Sequence, residues 1–89
     1  MADSTDTLLD FPTLFPLKAI GLGVEDFEEI VVSIVRRHVP ALPTDAATSR
    51  LSAGGKYLAV TVTFVAESKA QLDALYRELT AHERVVMLL

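Results

Sequence analysis

A two-layer α+β sandwich is the fold this sequence predicts, with both helices on one face of a four-stranded antiparallel sheet. Three observations carry the prediction. The stretch Tyr57–Val65 alternates strictly: Leu58, Val60, Val62 and Phe64 point one way, and Tyr57, Ala59, Thr61 and Thr63 the other. One of its faces is wholly apolar and the other is small and half polar, which suits a central strand covered by helices on one side only. Two further stretches carry apolar stripes at helical spacing, and strand-like segments flank each of them.

The elements follow in order. Residues 1–7 are small, polar and acidic, and are expected to be disordered. Residues 8–89 are expected to form one domain. Leu8, Leu9 and Phe11 form an apolar lead-in expected to pack on the domain's edge, with Pro12 and Pro16 limiting ladder bonds there. The first strand is predicted over Leu14–Leu22, with Leu17 and Ala19 on one face and Lys18 and Ile20 on the other. Gly21 and Gly23 break it.

Val24 to His38 is predicted as the first helix. Phe27, Ile30, Val31, Ile34, Val35 and His38 make one stripe of a 3.6-residue period. Glu25, Asp26, Glu28 and Glu29 sit in its first turns and Arg36 and Arg37 in its last, as the helix dipole favours. Pro40 stops it. A loop with Pro43 leads to a short strand at Thr48–Ser52. Ala53-Gly54-Gly55-Lys56 reads as a turn, because glycine tolerates positive φ. After the organising strand, Ser68 caps the second helix and Gln71 stands three residues on, as in a capping box. Leu72, Leu75, Tyr76 and Leu79 form its stripe, and Val85–Leu89 is the last strand.

The order is therefore βαββαβ. Each strand–helix–strand unit crosses over right-handed and leaves room for one intervening strand. The sheet order becomes 4-1-3-2, the ferredoxin-like arrangement, with strands 2 and 4 at the edges.

Composition bounds function. At 89 residues the chain has room for one core. It has no cysteine, so thiolate chemistry and disulfides are excluded. Its two histidines, His38 and His82, fall on different predicted elements and lack zinc-site spacing, so neither metal nor cofactor is expected. A net charge of −4 opposes binding to phosphate backbones. The outer sheet face also offers only Tyr57 for stacking bases, so no nucleic-acid partner is expected. The first residues lack a basic and an apolar signal region, and no apolar run approaches the roughly 20 residues of a membrane span. A cytoplasmic protein without membrane association is the expectation.

Several of these residues resemble a known family. Leu8-Leu9-Asp10-Phe11-Pro12-Thr13, Lys18, Gly21, Ile34-Val35-Arg36-Arg37-His38-Val39-Pro40, Gly54-Gly55-Lys56-Tyr57 and Leu75-Tyr76-Arg77-Glu78-Leu79 resemble the YbeD-like family of small bacterial proteins. The resemblance spans Leu8 to Leu89. It implies a fold similar to ACT regulatory domains, which bind small ligands, often amino acids, across dimer interfaces. It also implies a non-catalytic role, and a link to lipoate metabolism through neighbouring lipoate-attachment genes. The loop Gly21-Leu-Gly-Val-Glu-Asp26 lacks the Asp-x-Pro-Gly pattern of the first ACT loop.

The candidate ligand residues are Gly21, Gly23 and His38. The two glycines precede a helix N-terminus whose free N–H groups can hold an anion, although Glu25 and Asp26 would repel one. Otherwise they serve a strand-to-helix turn. His38 could bind a ligand or sense pH, or be a packed helix-end residue bonded to a carbonyl. The candidate interaction residues are Tyr57 on the open face and Val86 and Leu88 on the last strand, an uncharged edge open to pairing unless the lead-in shields it. The expected function is a small regulatory or binding module, with a homodimer, another protein or a small metabolite as partner. The alternative is a pure protein-interaction module using the open sheet face or the last strand.

Overall fold

The computed structural model describes residues 10–23 and 26–89. The elements run β1 (Thr13–Leu22), α1 (Phe27–His38), β2 (Ala47–Leu51), β3 (Tyr57–Ala66), α2 (Lys69–Ala81) and β4 (Val85–Leu88). All strand pairs are antiparallel, in the order β2-β3-β1-β4. Read from the other edge this is the predicted 4-1-3-2, and the fold is ferredoxin-like. The expected disordered residues 1–7, the lead-in residues Leu8 and Leu9, and the predicted helix start at Val24 and Glu25 lie outside the described residues.

Register places the core. β1 and β3 pair over ten residues, with Phe15 opposite Phe64, Leu17 opposite Val62 and Ala19 opposite Val60. These side chains share the face that meets the helices. Leu17, Ala19, Val60 and Val62 are fully buried there beneath Phe27, Val31 and Val35 of α1 and Leu75 and Leu79 of α2. Phe11, Phe15, Leu58 and Tyr76 close the margins. Phe15 stands 5.9 Å from the Phe64 ring and 6.4 Å from the Tyr76 ring, centre to centre. Among the described residues no helix is long and apolar enough to cross a membrane.

Three local differences from the sequence reading have physical reasons. β2 ends at Leu51 because Ser52 belongs to the turn: its N–H donates to the Tyr57 carbonyl, its own carbonyl accepts from Gly55, and its hydroxyl accepts from the Tyr57 N–H. Of the paired glycines only Gly55 has positive φ, at 73°. At the start of α1, Asp26 is the N-cap residue, but its side chain makes no capping bond. Its carboxylate accepts instead from Arg84 Nη2 at 2.6 Å.

The second helix begins as expected, with the Ser68 hydroxyl accepting from the Gln71 N–H at 3.1 Å. The return bond of the capping box lands one residue early, where Gln71 Oε1 accepts from the Glu67 N–H at 2.7 Å. The same amide's Nε2 donates to the His38 carbonyl at 2.9 Å and ties the start of α2 to the end of α1.

Candidate functional site

With both helices on one side, the other face of the sheet is uncovered among the described residues. Register writes it out in rows. Leu22 lies beside Tyr57; Ile20 beside Ala59, which lies beside Arg50; Lys18 beside Thr61, which lies beside Thr48; Pro16 beside Thr63; and Leu14 beside Val65. Met87 extends the Ile20 row onto β4. Leu14, Leu22, Val65 and Met87 are among the exposed large hydrophobic residues. Leu22 lies at one end of the face and Leu14 and Val65 at the other, with Met87 beside Ile20 on β4, and between the ends stand Ala59, Thr61 and Thr48 with Lys18 and Arg50.

Charge on this face has one sign. The four strands together contain two charged residues, Lys18 and Arg50, and both belong to the uncovered face. The carboxylates of this acidic chain all lie outside the strands. Among the described residues, neither Lys18 nor Arg50 has an ion-pair partner. They flank a shallow depression of about 310 Å³ lined by Lys18, Thr48, Ser49, Arg50, Ala59 and Thr61.

The glycines named from sequence are accounted for by packing. Gly21 is buried, and a Cβ there would run into the Phe27 ring and come within 2.5 Å of the Arg84 carbonyl oxygen. Gly23 donates its N–H to the Lys56 carbonyl at 2.7 Å, and a Cβ would stand 2.8 Å from the Gly55 carbonyl. Both are places where backbone or ring approaches too closely for any other residue. The helix N-terminus next to them carries the Asp26 carboxylate. The hydrogen bond from Arg84 holds that carboxyl below the usual carboxylate range.

His38 meets an acid that sequence order does not place beside it. Its Nε2 lies 2.7 Å from Glu78 Oε1, and Arg37 bonds the other oxygen of the same carboxylate. One carboxylate of α2 thus gathers two successive residues of α1. In place of the expected carbonyl, His38 has a carboxylate partner, while its own backbone carbonyl accepts from Gln71. His82, at the end of α2, accepts the Arg84 N–H on Nδ1 at 3.1 Å.

On β4 the two named residues part company. Val86 is exposed, whereas Leu88 packs against the core, so only Val86 faces outward as a docking residue would. The cause is a register shift: Gly21 pairs with Val85 but Ile20 with Met87, so Val86 is the extra residue of a bulge. Alternation breaks there, and Val85 and Leu88 turn inward while Val86 and Met87 are exposed. Tyr57 is half-buried on the uncovered face, with Lys56 Nζ 5.5 Å from its ring centre. Glu78 and Arg37 enter the sequence reading only inside the segments that carry the family resemblance, and Arg37 also as a helix-end charge; their meeting is not among its expectations.

Known proteins fit this picture. A family model described as "Protein of unknown function (DUF493)" matches residues 6–89. The chain is similar to a UPF0250 protein of Leptothrix cholodnii, with 43% identity covering 93% of this chain and 91% of that protein. It is similar to a UPF0250 protein of Ralstonia nicotianae at 41% identity, over the full length of both. The solution structure of protein HP0495 from H. pylori superposes with a TM-score of 0.72 at 14% identity, covering all of this chain and 93% of that one, which supports the fold. With a family model spanning nearly the whole chain and relatives aligned almost end to end, this chain belongs to the DUF493 family, the small bacterial UPF0250 or YbeD-like proteins.

Proposed function

We propose that this domain is a non-catalytic regulatory binding module whose working surface is the uncovered face of its sheet. The observation that carries the reading is the composition of that face: exposed apolar residues at both ends, and between them two cations without carboxylate partners among the described residues. Several of the groups that could serve acid–base chemistry are engaged with other side chains. Glu78 holds Arg37 and His38, Asp26 holds Arg84, and Glu28 Oε1 accepts from the Ser49 hydroxyl at 2.8 Å. The regulatory part of the reading rests on the resemblance to ACT-like folds and on its suggested tie to lipoate metabolism.

The test is a thermal-shift screen with amino acids, nucleotides, short carboxylic acids and lipoate, followed by amide chemical-shift mapping of each hit. A ligand that binds the native state raises its melting temperature by linkage. Perturbed amides are expected on β1 and β3, around Lys18, Ala59, Thr61 and Thr63. Hits whose perturbations cluster on α1 and α2, or a screen without hits, would remove the sheet-face reading.

A second reading is favoured by β4. This edge strand presents Val86 and Met87, and Leu89 follows it, more than half exposed at 56%, 51% and 61%, beside a backbone edge that no other strand pairs among the described residues. Such an edge suits a second copy adding its own β4 to extend the sheet. Val86→Lys is then expected to turn a dimer into a monomer without lowering the melting temperature, read by sedimentation velocity over a wide concentration range. A parent protein that is monomeric throughout removes this second reading.

A further inference from the structure

We infer that the depression between Lys18 and Arg50 is a binding site for a small anion with at least two carboxylate or phosphate oxygen atoms. The inference rests on the reading of the sheet face as the working surface and names the ligand chemistry for it.

The argument starts from where the charges are. Placing a charge on a strand needs a reason when every other strand position is uncharged. Arg50 alone could be explained as protection of the edge strand β2, since charged edge residues deter unwanted pairing. Lys18 has no such explanation. It is paired on both sides, facing Thr61 of β3 across one edge and exchanging backbone bonds with Leu89 across the other. Both cations line one depression, and among the described residues no ion pair neutralises either of them. A bound anion would.

The geometry between them fits an anion. Lys18 and Arg50 belong to neighbouring rows: Lys18 is opposite Thr61, and Arg50 is opposite Ala59. The methyl side chain of Ala59 leaves the hollow. Thr61 and Thr48 lie side by side on its floor, and their side chains make no hydrogen bond among the described residues, so two hydroxyl donors are free. Arginine presents a planar fork that matches two oxygens of one carboxylate or phosphate, and lysine adds a movable point charge. Charge-assisted bonds from both, with two hydroxyls, describe a recognition set for a small dianion. The site is open to solvent, so affinity is expected in the millimolar range for a bare probe.

The experiment uses the intact domain with inorganic phosphate and succinate as separate probes. Ionic strength is held constant with sodium chloride, because general screening would otherwise imitate binding. Saturable amide shifts are expected at Lys18, Arg50, Ala59 and Thr61 with at least one probe, and the probe that binds tells phosphate from carboxylate chemistry. Lys18→Gln and Arg50→Gln should each weaken binding about fivefold, the upper range for an exposed charge contact. Ala59→Leu keeps both cations but fills the hollow, and should abolish the shifts while the melting temperature stays near the parent's. Absence of saturable shifts with either probe overturns the anion assignment; the sheet-face reading then stands or falls on its own ligand screen. Binding that survives Ala59→Leu overturns the assignment as well, since it would be charge attraction without a site.

Discussion

Phe64→Ala is expected to destabilise the domain by about 3–5 kcal/mol, a large part of the 5–15 kcal/mol that holds a typical small domain together. Phe64 is 2% exposed, on the core face of a strand that pairs on both sides. Its ring contacts Phe15, which in turn meets Tyr76 of α2, so truncation opens a cavity where sheet and helix layers join. The close antiparallel pairing of β1 with β3 prevents the backbone from collapsing into that space. Urea denaturation reads the effect as a lowered midpoint at unchanged slope. Phe64→Leu, which keeps much of the apolar area, should recover part of the loss. An unchanged midpoint for Phe64→Ala would reject the assigned core.

Why Phe64 could be placed without a structure, and Glu78 could not, is a matter of range. Alternation in β3 and the stripes of the two helices are local patterns, and each side chain's face follows from the period of its own element. The crossover rule then converts element order into sheet order, which is why the edges and centre of the sheet were legible. The contacts that fix the helix ends are not local. His38 and Arg37 reach Glu78 across 40 and 41 residues, and Arg84 reaches Asp26 across 58. No period in either segment encodes those meetings. Leu88 shows a subtler limit. Alternation alone puts it on the same face as Val86, but the bulge at Val86 inverts the pattern, and a bulge is a property of two paired strands. The cationic pair on the open face stands between these cases. Both residues can be assigned to the face from sequence, while their flanking of one hollow depends on the β1–β3–β2 register.

Gly21→Ala is expected to destabilise the domain by about 1–3 kcal/mol, the usual range for forcing one extra carbon into a filled core. Here the carbon has nowhere to go. It would overlap the ring of Phe27, which is fully buried as the first residue of α1, and would stand 2.5 Å from the Arg84 carbonyl oxygen. The ring cannot swing aside without leaving the core. The carbonyl belongs to the residue leading into β4, and the pairing of Gly21 with Val85 anchors that backbone to β1. Relief therefore requires either a strained Phe27 rotamer or a β4 pushed off the sheet, and the second would loosen the Ile20–Met87 pairing as well. Two comparisons separate this from a general dislike of alanine. Gly54→Ala, where nothing lies within 4 Å of the added carbon and φ is not positive, should be neutral or slightly stabilising by thermal melting. Gly21→Ala combined with Phe27→Leu should be less destabilised than the sum of the two single changes, because the ring clash is removed and the carbonyl clash remains. If Gly21→Ala melts like the parent, the packing account of this glycine fails, and the ligand-binding reading of the β1–α1 turn regains its claim on Gly21.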